Sequence, residues 1–393
     1  MADAEEQKRI PCVLMRGGTS RALFVMRNHL PADPVLRDRV ILRMYGSPDV
    51  RQIDGIGGAD PLTSKLAIIG PPTRPDADVD YTFAQVSIDR PFVDYAGNCG
   101  NISSAVGPFA IDEGLVDAVE PITRVRIHQT NTRCILVAEV PVVGRRAAVE
   151  GDYRIDGVPG TGARIRLDFS DTAGAISGHL LPTGSPVDRL TVPELGPVEV
   201  SVIDAGTPTV FVRAADLGLK GTERPDEIEA DRALNERIEY IRGTAALWLR
   251  LVEDWTQAAN QTPYLPFFAL VRAPADYLDL SMARQVRREE VDLIARLLFM
   301  RRVHKAYPVT GAVATGAAAR IPGTVVHDVL REEARERAEI RIGHPSGVLE
   351  VEVQVQRQTG EYRLTRAVIS RTARRILEGY IFVPRSTWEG TRP

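Results

Sequence analysis

Cysteine is scarce in this chain: Cys12, Cys99 and Cys134 are all it has in 393 residues. An odd, widely spaced set offers no disulfide framework, so a reducing, cytoplasmic setting is expected. No CxxC pair occurs and the six histidines lack metal-ligand spacing, so no metal site is expected. No basic tract is present and the formal net charge is −3, which argues against nucleic acid as a partner. No apolar run approaches the ~18 residues that span a bilayer, so a membrane partner is not expected. The polar, acidic opening MADAEEQKRI is not read as a signal peptide. A GxxxxGK[ST] phosphate loop is also missing.

What is there suffices for large cores, since 44% of the residues are hydrophobic. The length predicts two domains. Many short strand-like runs alternate with a few helical ones. Strands are expected at 13–15 and 22–26, flanking a polar turn at 16–21, and again at 65–69 and 79–87. A helix is expected over 34–44, with Asp33 as N-cap and Pro34 at its first position. A second helix should cover 100–115, followed by a hairpin of 125–128 with 134–140. Further helices are expected over 225–250 and 286–300. Strands at 340–343, 347–356 and 362–370 should close the chain.

The second half echoes the first. Val202-Ile-Asp-Ala-Gly-Thr-Pro-Thr-Val-Phe-Val212 resembles the segment from Val13 to Phe24. Both are strand, Gly-Thr turn, strand. The small-residue segment from Tyr307 to Arg320 echoes the one after Cys99, and aligning Gly100 with Gly311 sets Thr310 opposite Cys99. We therefore expect an α+β protein of two pseudo-symmetric lobes, 1–185 and 186–393. Each lobe would wrap strands around a central helix, with a ligand site between the lobes.

Among the cysteines, only Cys99 has a distinctive frame, Asp94-Tyr-Ala-Gly-Asn-Cys-Gly-Asn101. Gly97 and Gly100 let backbone approach a ligand. The amides of Gly100, Asn101 and Ile102 would be free donors at a helix start. Such a place lowers a thiol's pKa and attracts carboxylate, which suggests acid–base chemistry on an anionic substrate. Cys12 and Cys134 lie in apolar strand-like runs and read as core.

At these residues the chain resembles the PrpF family of 2-methylaconitate isomerase-like proteins, within the diaminopimelate epimerase-like superfamily. The strings that carry the resemblance span nearly the whole chain. They are Met15-Arg-Gly-Gly-Thr-Ser-Arg21, Gln52-Ile-Asp-Gly-Ile-Gly-Gly-Ala-Asp60, Thr63-Ser-Lys65, Gly97-Asn-Cys-Gly-Asn101, Ile321-Pro-Gly-Thr324, Gly343-His-Pro-Ser-Gly347 and Arg371-Thr-Ala-Arg-Arg-Ile-Leu-Glu-Gly379. The resemblance implies a cofactor-free isomerase of unsaturated di- or tricarboxylates, with Lys65 and Cys99 as acid–base residues. Activities in the family include 2-methylaconitate cis–trans isomerisation, methylitaconate Δ-isomerisation and 4-oxalomesaconate tautomerisation. Two positions depart from related patterns. Epimerases of the superfamily carry a thiol in each lobe, whereas here Thr310 takes the second place. Arg21 stands where many family members have lysine.

Each candidate has a plainer alternative. Lys65 serves as a base only if burial or nearby cations lower its pKa; otherwise it is a surface residue or a carboxylate holder. Arg16, Arg21 and Arg51 could clamp carboxylates in a fork or simply be solvated. The Gly17-Gly18-Thr19-Ser20 turn could donate amides and hydroxyls, or be an ordinary glycine turn. Asn98 and Asn101 bind substrate or cap the helix after Cys99, next to the amide of Gly100. Thr310 and Gly311 would present a hydroxyl and an amide from the second helix start. His344 and Ser346 lie in a loop that faces the cleft in this family. Asp54 and Asp60 read as loop caps. Two other functions compete: an amino- or hydroxy-acid epimerase, and a non-catalytic carboxylate-binding protein. A homo-oligomer is compatible with the sequence but not required by it.

Overall fold

Short β-branched and aromatic runs between glycines and prolines favour strands, and strands dominate the computed structural model. It describes residues 6–281, 283–358 and 360–389. The first half holds β1 (Gln7–Gly17), β2 (Ser20–Met26), α1 (Pro34–Tyr45), β3 (Lys65–Gly70), β4 (Val79–Val86), α2 (Gly100–Asp112), β5 (Ile122–Gln129), β6 (Cys134–Val143) and β7 (Ile165–Asp168). The second holds β8 (Asp188–Val192), β9 (Gly196–Ile203), β10 (Thr209–Arg213), α3 (Arg232–Trp248), β11 (Phe267–Arg272), β12 (Leu293–Phe299), α4 (Val309–Ala319), β13 (Glu339–His344), β14 (Gly347–Gln358), β15 (Glu361–Arg371) and β16 (Ala373–Pro384).

The pairing pattern carries the repeat more clearly than the sequence does. From β1 to β7 the successive pairings are antiparallel, parallel, antiparallel, parallel, antiparallel, antiparallel. From β9 to β15 the series is the same. The two series join where β7 pairs with β15. β8 extends the second series beside β9. In the first series that place beside β1 is taken by β16, from the far end of the chain.

α2 packs against β1, β2, β3, β5, β6, β7 and β16, and α4 against β9, β14 and β15. Every residue from Gly100 to Ile111 is buried, and so is every residue of α4. A helix enclosed by strands has no solvent face, which is why both are built from small and apolar residues. The two helices touch at their starts, where a Cβ on Gly100 would lie 2.6 Å from Val309 Cβ. α1 runs as the sequence predicts, with Asp33 Oδ1 accepting from Leu36 N at 2.7 Å.

Two expectations fail. Residues 286–300 are not a helix, since Leu293–Phe299 is the strand β12, paired with β11 and β13. All its residues are buried, and a run apolar on both faces reads equally as helix or strand. The helix over 225–250 is broken at Asp231, which ends Pro225–Ala230 and caps α3. Among the described residues no helix is long and apolar enough to cross a membrane.

β1 meets α2 at Gly17. A Cβ there would lie 2.4 Å from Asn101 O and 3.1 Å from Ile102 Cα, both backbone atoms. Gly17→Ala should therefore destabilise the fold by about 1–3 kcal/mol. The check is a lower urea midpoint at unchanged m-value; an unmoved midpoint would refute the close approach.

Candidate active site

Cys99 is the N-cap of α2, in extended backbone (φ −115°, ψ 97°), and no side chain caps this helix start. The asparagines flanking it thus do other work. Asn98 Oδ1 accepts from Ser103 Oγ at 3.2 Å, and its main-chain oxygen accepts from Tyr264 Oη at 2.7 Å. Asn101 Oδ1 accepts from Thr19 N and from Arg371 Nε, each at 3.3 Å. It ties the β1–β2 turn to the end of β15.

Lys65 opens β3 and is 2% exposed. Among the described residues its ammonium forms no ion pair with a carboxylate. Nζ donates to Gln85 Oε1 at 2.6 Å, and the Gln85 amide is held in that orientation by donating to Pro61 O and Ser64 O. Desolvation dominates the ammonium and holds its pKa below the usual 10.5, against the opposing influence of neighbouring Cys99 and of Asp60. The rings of Phe83 and Phe299 lie 5.2 and 5.5 Å from Nζ. Burial of this kind moves a lysine in the direction a general base needs.

The structure gathers Lys65, Asn98, Cys99, Gly100, Asn101 and Thr310 around one narrow cleft. Counted from the helix caps, the residue matching Cys99 is Pro308, the N-cap of α4, two positions before Thr310. Both Pro308 and Thr310 line the cleft and neither is a thiol. Thr310 Oγ1 accepts from Thr207 Oγ1 at 2.8 Å. Gly311 is buried behind it, against Leu297.

Thr19 and His344 line a cavity of about 440 Å³ beside this cleft. Gly18, at φ +50°, leaves no room for a Cβ against the Asn101 side chain, and its amide donates to Thr372 O. Four of the buried polar atoms without partners fall on these same segments: Thr19 Oγ1, Ser20 Oγ, Arg21 Nε and Asn98 Nδ2. Unmet buried donors cost about 1–3 kcal/mol each, so a water or a ligand oxygen is what they are built to meet. Ser346 Oγ donates to Lys305 O, and its amide donates to His344 Nδ1.

Three arginines fare differently from one another. Arg16 spends Nη1 on Gly18 O and Thr372 O, each at 2.9 Å, and so straps the turn to the chain between β15 and β16. Arg21 lies beside Gly58. Arg51 is exposed in a turn held by Asp49 and lines neither the cleft nor the cavity. Asp60 pairs with Lys305, and Asp54 with Arg43 on the surface.

Sequence reasoning missed Gln85, Tyr264, Phe299, His304 and Arg371. All but Arg371 come from strands and loops with no local mark of function. Arg371 was within a quoted string yet read only as a family signature. It is 4% exposed and, chiefly through desolvation, its pKa is lowered to about 10. His304 Nδ1 accepts from Ala306 N at 3.0 Å, which leaves Nε2 as the N–H donor. Desolvation, then Lys65, pushes the His304 pKa down to about 3; desolvation, then Arg371, pushes His344 well below its ordinary value. Both rings are neutral at pH 7.

A buried lysine and a buried thiol lie together at the meeting of two enclosed helix starts in an α+β protein whose two halves repeat one pairing pattern. The PrpF protein family model matches residues 7–384. A 3-methylitaconate isomerase of Eubacterium barkeri is 53% identical over 97% of this chain and 99% of its own. A 2-methyl-aconitate isomerase of Cupriavidus necator is 42% identical, covering 96% and 98%. The crystal structure of a methylitaconate-delta-isomerase superposes with TM-score 0.80 at 52% identity, over 98% of each chain. A hydroxyproline epimerase from Agrobacterium vitis shares the fold alone, with TM-score 0.60 at 12% identity over 97% and 94%. The chain belongs to the PrpF family, and these close relatives are isomerases.

The two histidines make stability pH-dependent. Their folded pKa values lie below the unfolded 6.5, so the unfolded chain binds protons that the folded one refuses. Their contribution is complete above about pH 6.5 and is lost as pH falls, for His304 towards about 3. Asp94 and Asp204, raised mainly by burial, act in the opposite sense. Comparing His304→Gln with wild type isolates one histidine. Between pH 6 and 4.5 the wild type should lose up to ~1.4 kcal/mol per pH unit more than the variant, read from urea midpoints. Parallel curves would show His304 to be protonated in the fold.

Proposed function

We propose that this chain is a cofactor-independent isomerase that shifts a proton across the allylic system of an unsaturated di- or tricarboxylate. Lys65 and Cys99 form its acid–base pair. The observation that carries this reading is Lys65 itself, buried against Cys99, hydrogen-bonded to a neutral amide and ion-paired with no carboxylate among the described residues. One of the pair removes a C–H proton activated by a carboxylate-bearing alkene. Charge spreads into a dienolate, and the other returns a proton at a different carbon. Atoms and charge balance without an electron acceptor, so acid–base groups and oxyanion donors suffice. The amides at the start of α2 and the unpartnered hydroxyls of Thr19 and Ser20 are suited to the carboxylate. Rotation within the dienolate would accommodate a cis–trans outcome as well as a double-bond shift.

We take 1–185 and 186–393 as the two lobes, with β16 crossing back to the first. Among substrates, the 53% identity to a 3-methylitaconate isomerase places that acid first in the panel, with 2-methylaconitate and 4-oxalomesaconate after it. A two-thiol epimerase is disfavoured by Pro308 and Thr310, since neither can carry a proton as a thiolate does. The test is ¹H NMR of each acid with enzyme in D₂O. We expect isomerisation with deuterium incorporation for at least one, and loss of well over ~10² in rate for Cys99→Ser and for Lys65→Met. No turnover anywhere in the panel would refute the reading, and a near-normal variant would remove its residue from the mechanism.

A further inference from the structure

Arg371 is a cation with nothing to neutralise it. It ends β15 and is buried. Nε and Nη1 are spent on Asn101 Oδ1 and Ser370 O. Among the described residues no carboxylate pairs with it, and Nη2 has no hydrogen-bond partner. A buried charge left without a counter-charge costs several kcal/mol, so the arrangement is economical only if a ligand supplies the anion.

The cavity beside the cleft shows where that anion would lie. Arg371 lines it together with Thr19 and His344, its about 440 Å³ is in the range of small-ligand sites, and of its two carboxylates Asp156 is held by Arg284 while Glu350 makes no ion pair with Arg371. Its other arginines are committed or wet. Arg284 binds Asp156 and Glu290, and Arg154 is 73% exposed. Asn101 links the two spaces, since it lines the cleft beside Cys99 and accepts from Arg371. His344 adds a neutral ring whose Nδ1 is occupied by Ser346 N, leaving Nε2–H as a donor.

We propose that Arg371 anchors a second carboxylate of the substrate, one remote from the carbons that exchange protons, and so selects polycarboxylates over monocarboxylates. This deepens the isomerase reading and rests on it. Guanidinium suits the task because its planar donors match a carboxylate. The role is substrate binding, distinct from the proton transfer assigned to Lys65 and Cys99.

Saturated acids separate the two claims, because they bind without turning over. Calorimetry would compare tricarballylate, methylsuccinate and butyrate on wild type, Arg371→Met and Arg371→Lys, each checked for folding by circular dichroism. We expect wild type to bind the polyacids at least tenfold more tightly than butyrate. Arg371→Met should weaken polyacid binding about ten- to hundredfold and leave butyrate within about twofold, and Arg371→Lys should recover part of the loss. In turnover, Arg371→Met should raise KM more than it lowers kcat. Equal affinity of wild type for polyacid and butyrate, or unchanged polyacid affinity in a folded Arg371→Met, would overturn the proposal. The wild-type comparison decides it even if both variants fail to fold. An inactive wild type that still shows the polyacid preference would instead remove the isomerase reading and leave the anion site standing.

Discussion

The structure turns on one uncomfortable group, a buried amine that no carboxylate among the described residues pairs with. Taking an ammonium out of water costs several kcal/mol when no anion meets it, and Lys65 is met by Gln85, two aromatic rings and a thiol. That cost has to be offset by the rest of the fold. The strands that enclose α2 supply the apolar burial, while Gly17 lets β1 approach the backbone of α2 and Gly100 lets α2 approach Val309 of α4. An alanine at either place would press on atoms that cannot yield.

The same principle organises the second cation. Arg371 and Lys65 are both buried, both lack a carboxylate, and both border the spaces joined by Asn101. Two neutral histidines lie between or beside them, their pKa values depressed partly by these cations. A substrate dianion meeting these cations would offset part of their desolvation, so binding energy and site electrostatics are one matter rather than two.

How much of this could be read from the sequence differs by residue. Cys99 was legible because its Gly-Asn frame is local and unusual. Lys65 became legible only through the family strings, as nothing beside it predicts burial. Arg51 shows the converse, for a candidate carboxylate clamp is solvent-exposed, away from the cleft. Gln85, Tyr264 and His304 were invisible because their role is created by pairings between distant strands. β12 was misread for a related reason: burial on both faces erases the period that tells strand from helix. The repeat was faint in residues yet plain in strand pairing, since topology tolerates substitution that side-chain identity does not.

Pseudo-symmetry also explains what the two halves no longer share. An ancestral-looking arrangement of matched helix starts would offer matched groups across the cleft, as a two-base epimerase needs. Here the first half contributes Lys65, Cys99 and the asparagines, while the second contributes Pro308, Thr310, His304, Tyr264 and Phe299. The second set has no strong base in reach of its own helix start, because His304 is held neutral with Nδ1 occupied. It shapes, desolvates and donates hydrogen bonds. Epimerisation at one carbon needs acid and base on opposite faces of that carbon, whereas an allylic shift moves the proton between carbons and can use a pair on one side. Lys65 and Cys99 are adjacent and come from the same half, an arrangement that suits the proposed allylic shift better than epimerisation.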